Sequence, residues 1–270
     1  MSLYIVPTPI GNLGDITRRA VEVLSRVEFI IAEDSRYSLK LLNHLGIKKR
    51  IVSHYRPKEE TQAEKIVAML AAADGALVTD SGTPGISDPG FILIRKAIAA
   101  GIPVIPLPGP TAFVPALVAS GIDARRFLFL GFAPRRRGEL ERFLRELAPL
   151  PFTLVFYESP RRLAQFLAGA FAALGDRDFA VARELSKLHE RIVRSRLGSW
   201  QSALEEETVL GEMVVVIAGS AGDAAKEEAP CFEDLDGLYA YFQQRFGISK
   251  NSLKKVLMRK KAKGSTEHAR

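Results

Sequence analysis

Only one cysteine, Cys231, occurs in the 270 residues, which rules out an intrachain disulfide framework and fits a reducing compartment. The four histidines, His44, His54, His189 and His268, are scattered without ligand spacing to that cysteine, so no metal site is expected. The chain has neither a Gly-Lys-Ser/Thr loop nor a G-x-G-x-x-G fingerprint, which removes the two usual signatures of a bound phosphate chain. Its N-terminus, Met1-Ser2-Leu3-Tyr4-Ile5, lacks the basic segment of a secretory signal, and a cytoplasmic location is expected. One long stretch, between Lys96 and Asp123, carries no charge at all. Pro103, Pro106, Pro108, Pro110 and Pro115 interrupt it, so it reads as buried strand, loop and short helix rather than a membrane span.

What is present is enough apolar residue, 47% of the chain, to bury a sizeable core. The net charge of +7 points to a polyanionic partner only in combination with where the charge lies. Short apolar runs end repeatedly in tight polar loops. Leu3 to Val6 runs into Pro7-Thr8-Pro9-Ile10-Gly11-Asn12-Leu13-Gly14-Asp15, with Asp15 placed to cap a following helix. Phe29 to Ala32 runs into Glu33-Asp34-Ser35-Arg36. Ala76 to Val78 runs into the loop from Asp80 to Gly90, and Pro103 to Leu107 into Pro108-Gly109-Pro110-Thr111-Ala112. Helical periodicity separates these runs, which predicts a mostly parallel α/β sheet with its site at the strand C-termini. The glycines allow close backbone approach to a ligand that has no phosphate chain.

Beyond Asp123 a second α/β unit is expected. The run Phe127 to Phe132 leads into the basic Pro134-Arg135-Arg136-Arg137, Thr153 to Tyr157 into Glu158-Ser159-Pro160-Arg161-Arg162, and Phe179 to Ala182 into Arg183-Glu184-Leu185-Ser186-Lys187. The last strand, Val214 to Ala218, follows Gly211-Glu212. The chain thus divides into α/β domains at 1–122 and 123–219, a polar linker at 220–231, and a helical module at 232–270. In that module two short helices flank Gly247, and the second carries Lys250, Lys254, Lys255 and Arg259. Two helices about a glycine turn, the second basic, resemble a helix-turn-helix nucleic-acid module.

Taken in order, the loops Pro7–Asp15, Ala32–Arg36, Asp80–Gly90, Pro108–Ala112, Phe156–Arg162 and Ala182–Lys187 resemble the ribosomal RNA small subunit methyltransferase I family, within the tetrapyrrole-methylase-like superfamily. Ser35 and Ser186 stand where that family usually has threonine, and Tyr55-Arg56-Pro57-Lys58-Glu59 replaces its His/Asn/Glu-rich segment, so no catalytic carboxylate is assigned there. The resemblance implies two α/β domains with S-adenosylmethionine in the cleft between them, a homodimer, and 2′-O-methylation of a cytidine in the decoding region of 16S rRNA. It places Pro9, Gly11, Asp80, Gly82, Thr83, Ile86, Thr111 and Ala112 against the cofactor from the first domain. Tyr157, Ala182, Gly211 and Glu212 would close over it from the second.

Removing the 2′ proton calls for a base, and Glu184, Lys187, Asp34 and Glu158 all sit at strand ends. The residue types leave two readings open for each, proton acceptor or ion-pair partner of Arg36, Arg161 or Arg183; Glu184 with Lys187 is the preferred pair. Arg36, Arg135, Arg136, Arg137, Arg161, Arg162 and the tail's Lys250, Lys254, Lys255 and Arg259 are the expected RNA contacts. Two rival readings are a tetrapyrrole methyltransferase and a non-enzymatic RNA-binding assembly factor.

Overall fold

A computed structural model of the protein describes residues 1–54, 59–204 and 211–220, together with residues 237 and 240. Met1–Ser220 forms one compact unit and Ala221–Arg270 another; the expected linker and the basic positions of the tail lie outside the described residues.

Five strands, β1 (Leu3–Ile5), β2 (Phe29–Ala32), β3 (Arg50–Ser53), β4 (Gly75–Val78) and β5 (Val104–Pro106), make an all-parallel sheet in the order β3-β2-β4-β1-β5. Every residue of β1, β2 and β4 is buried, as a parallel sheet covered on both faces requires. The alternation of side chains along each strand sorts them into two cores. Tyr4, Ile30 and Ala76 pack on one face with Ala20, Val23 and Leu24 of α1 (Arg18–Arg26) and Leu42 of α2 (Ser35–His44). Leu3, Ile31 and Leu77 pack on the other with Ala63, Ile66 and Leu70 of α3 (Glu59–Leu70) and Leu93 and Ala97 of α4 (Phe91–Ala99).

The cap of α1 differs from the sequence expectation. Asp15 ends a short 3-10 turn, and Thr17 caps the helix, its hydroxyl accepting the Ala20 amide at 3.1 Å. Thr17→Ala is therefore expected to lower stability by about 1 kcal/mol in denaturant unfolding, whereas Asp15→Asn should leave α1 unchanged in helix-specific hydrogen exchange.

The second sheet joins β6 (Phe127–Phe132), β7 (Thr153–Glu158), β8 (Asp178–Arg183), β9 (Arg191–Arg196) and β10 (Met213–Ile217) in the order β6-β7-β10-β8-β9. Only β6 and β7 are parallel; the other pairings are antiparallel. Phe156, Phe179 and Val215 face α6 (Arg137–Leu147) and α7 (Pro160–Leu174), where Phe156 meets Phe166 edge-on at 5.0 Å. On the opposite face Val155, Ala180, Ala182 and Val216 are covered by Ala116 and Leu117 of α5 (Phe113–Ser120). That helix, in the 1–122 segment by sequence, thus packs on the second sheet. Strand β9 was not anticipated. Its exposed arginines, Arg191, Arg194 and Arg196, flank the partly buried Ile192, Val193 and Ser195, as on a charged edge strand. A five-residue helix, α8 (Trp200–Leu204), follows it. Among the described residues no helix is long and apolar enough to cross a membrane.

Candidate functional site

The order of the first sheet sets β1 between β4 and β5, so three polar loops emerge side by side. Backbone bonds Thr8 N–H to Gly82 carbonyl (2.9 Å) and Gly82 N–H to Thr8 carbonyl (3.0 Å) join two of them. The Thr83 hydroxyl reaches the Pro110 carbonyl at 3.0 Å and ties in the third. Gly82 holds φ at +83°, a conformation that disfavours any side chain.

Facing these loops across a cavity of about 450 Å³ are the strand ends of the second sheet. The first sheet contributes Ile10, Glu33, the Asp80–Thr83 turn, Ile86 to Asp88, Thr111 and Ala112. The second contributes Phe132, Tyr157 to Pro160, Glu184, Leu185, Lys187 and residues 211–214. Among the described residues six carboxylates, Glu33, Asp80, Asp88, Glu158, Glu184 and Glu212, share this wall with one cation, Lys187. That balance suits a cationic ligand and opposes a phosphate chain.

Of the residues expected at the cofactor, Asp80, Gly82, Thr83, Ile86, Thr111, Ala112, Tyr157, Gly211 and Glu212 line the cavity. Pro9, Gly11 and Ala182 do not. Ala182 is buried beneath α5. Gly11 instead lies against Lys187: a Cβ there would stand 2.4 Å from the lysine Cγ. Its missing side chain makes room for that lysine. Ile10, Glu33, Ser87, Asp88 and Phe132 line the cavity without having been singled out. Glu33 is legible only as the neighbour of Asp34, and Phe132 only as the last apolar residue before a basic run.

Glu184 and Lys187 are brought together. Lys187 Nζ donates to Glu184 Oε1 at 2.9 Å, across a turn in which Glu184 (φ +47°) and Ser186 (φ +69°) are left-handed. Gly211 sits under this pair with φ +82°, and a Cβ there would fall 1.7 Å from Glu184 Oε1. The Ser186 hydroxyl donates to Asp15 Oδ2, so the loop after β8 is latched to the loop after β1.

Burial pushes the Asp80 carboxyl and the Tyr157 hydroxyl above their ordinary values; for Tyr157 a hydrogen bond with Thr111 works against the shift. Tyr157 packs edge-on against Phe129 at 5.0 Å.

Asp34 stands outside the cavity wall. It caps α2 through the Arg36 amide at 2.8 Å and pairs with the Arg36 guanidinium at 2.6 Å. The guanidinium hydrogen bond holds its carboxyl down at about 2. Because the folded value is depressed, this pairing persists through neutral pH and is lost as pH falls through about 2. In Arg36→Ala the Asp34 side-chain NMR titration should return toward the ordinary carboxylate range; an unchanged midpoint would rule out the arginine as its cause.

The expected RNA-contacting arginines also divide. Arg136 pairs with Glu139 and Arg137 with Glu141 on the exposed face of α6. Arg162 donates to the carbonyls of Ala133 and Pro134 and lies 3.5 Å from Glu158, so its guanidinium ties the loop after β6 to the start of α7. Arg135 and Arg161 are exposed and have no carboxylate partner among the described residues.

Two α/β sheets around an acidic, glycine-edged cleft define a tetrapyrrole-methylase type of methyltransferase. Residues 2–201 match the family described as Tetrapyrrole (Corrin/Porphyrin) Methylases. The fold is shared with uroporphyrin III C-methyl transferase from Thermus thermophilus (TM-score 0.57, 19% identity, 81% of this chain and 97% of that one). It is shared likewise with the methyltransferase CobJ (TM-score 0.60, 21% identity, 82% and 95%).

Sequence relatives narrow the class. Proteins named ribosomal RNA small subunit methyltransferase I include one from Micromonospora olivasterospora, 44% identical over 84% of this chain and 73% of its own length. That of Bacillus subtilis is 38% identical over 94% and 88%, and that of Escherichia coli O157:H7 43% identical over 84% and 80%. The chain belongs to the ribosomal RNA small subunit methyltransferase I family and is a methyltransferase, which sets aside the non-enzymatic reading.

Proposed function

We propose that the protein transfers a methyl group from S-adenosylmethionine to the 2′-hydroxyl of a cytidine in the decoding region of small-subunit rRNA, acting as a cytoplasmic homodimer. The observation that carries the reading is that, among the described residues, six carboxylates and one lysine line a cleft whose size suits a small-molecule ligand. S-adenosylmethionine is a sulfonium cation without phosphates, and when bound it supplies an electrophilic methyl group. The residues present fit it. Asp80, Asp88 and Glu212 offer carboxylates to its positive groups, Gly82 gives backbone approach, and Ile10, Ile86 and Val214 supply apolar contact.

The acceptor hydroxyl must lose a proton as it is methylated. In this reading Glu184 takes it, with one carboxylate oxygen held by Lys187. Lys187 is then the positioning residue, and Gly11 and Gly211 give the pair its space. Closing both sheets over the reacting atoms excludes water and fixes their approach, which supplies rate independently of the base.

The relatives' names favour small-subunit rRNA over a tetrapyrrole, and the exposed Arg135 and Arg161 beside the cleft, without a carboxylate partner among the described residues, agree with a polyanionic substrate. The test supplies labelled donor with small ribosomal subunits, naked rRNA and a tetrapyrrole in parallel. Label is expected at a ribose of the RNA; label in the tetrapyrrole alone would overturn the assignment.

A further inference from the structure

A second cavity of about 640 Å³ adjoins the cofactor cleft and shares Phe132, Glu158, Ser159 and Pro160 with it. Its remaining wall is Ala133, Arg135, Arg161 and Arg162. Three features there go unexplained by folding. Phe132 is 61% exposed. The β6–β7 register shifts between Phe129 and Phe132, with Gly131 at φ +60°, and so delivers that ring to the cleft mouth, 5.7 Å from the Tyr157 ring. An exposed phenylalanine of this kind offers a face on which a base can stack.

Second, Glu158 is only 2% exposed. Its Oε1 accepts the Ser159 amide at 2.8 Å and faces Arg162, which accounts for one oxygen as an anchor of α7. Its Oε2 is buried with no hydrogen-bond partner among the described residues. A buried carboxylate oxygen left unsatisfied is costly unless something supplies a donor. Third, Arg135 and Arg161 flank the same cavity.

We infer that this second cavity seats the acceptor nucleotide: the base stacks on Phe132, its exocyclic amino group donates to Glu158 Oε2, and Arg135 and Arg161 hold the adjoining phosphates. A carboxylate only accepts, so it selects cytosine, whose N4 amino donates, and refuses uracil, whose O4 would meet it acceptor to acceptor. The inference rests on the rRNA reading above and adds to it the groups that choose the base.

The experiment uses the full chain and small subunits from cells lacking it, carrying either cytidine or uridine at the methylated position. The wild-type enzyme is expected to prefer cytidine by about tenfold or more. Glu158→Gln, whose amide can donate to O4 while its carbonyl still accepts from Ser159, should bring that preference to within about twofold. Phe132→Ala should cut kcat/KM for the cytidine subunit by about tenfold, with restoration in Phe132→Trp. Because both residues also line the cofactor cavity, the variants are compared at saturating donor, with donor affinity followed separately by calorimetry. An undiminished preference in Glu158→Gln overturns the base contact, and a fully active Phe132→Ala overturns the stacking face. A wild-type enzyme that methylates neither subunit removes the rRNA reading itself, an outcome visible without any variant.

Discussion

Glu184→Gln is expected to lower the methyl-transfer rate by roughly two to four orders of magnitude at saturating donor and RNA. Glutamine preserves the length, the shape and an oxygen for Lys187 Nζ, now 2.9 Å from Glu184 Oε1. It removes the only property the proposal needs, a carboxylate able to take the ribose proton. The measurement is single-turnover transfer, with donor binding followed separately so that affinity and chemistry are not confused. Lys187→Met should cost less, because it frees the carboxylate to rotate without neutralising it, and Lys187→Arg should recover part of that loss. A Glu184→Gln enzyme that turns over at the wild-type rate would eliminate the glutamate as base and leave positioning alone to explain catalysis.

Gly211→Ala is expected to impair both donor binding and turnover. Two independent constraints act at this position. Its φ of +82° lies where alanine is strained, at a cost of about 1–3 kcal/mol. The added methyl would also overlap Glu184, since a Cβ would stand 1.7 Å from Oε1 and 2.4 Å from the carboxyl carbon. Glu184 must therefore swing away, taking Lys187 with it and narrowing the cleft they line. Calorimetry should show donor affinity reduced by about tenfold or more, while circular dichroism remains that of the wild type because no core residue is touched. Tight donor binding in the alanine variant would show that the loop before β10 does not contact the cofactor.

The sequence made the strands and helices of the first sheet legible because its buried strands are continuous apolar runs closed by glycine and proline. Phe29–Ala32 and Gly75–Val78 have no polar residue to blur their ends. Strand β9 was illegible for the opposite reason: three arginines in six residues look like a loop when the partner strand is unknown. The cleft's acid-rich character was readable residue by residue in Asp80, Glu184 and Glu212. Their convergence with Glu33 and Asp88 depends on β2 lying beside β4 and on the strand ends of the second sheet facing the loops of the first, neighbour relations that no local pattern encodes. Asp34 and Glu158 show the limit most directly. Both are carboxylates at strand ends followed within a few positions by arginine, yet one caps a helix on the surface and the other is sealed inside. Only the surrounding packing distinguishes them.

The placement of β10 has a consequence for how the chain is made. This strand is the last of its sheet in order of synthesis, yet it occupies the middle, between β7 and β8. Until Met213–Ile217 has left the ribosome, the β6–β7 and β8–β9 pairs are two ribbons, each with an inner edge of unsatisfied amides and carbonyls. The half of the cleft that carries Tyr157 and Glu184 therefore comes into being in a single late event, when one segment closes both ribbons at once. A nascent polypeptide stalled before that insertion exposes sticky ribbon edges and is a natural client for chaperones.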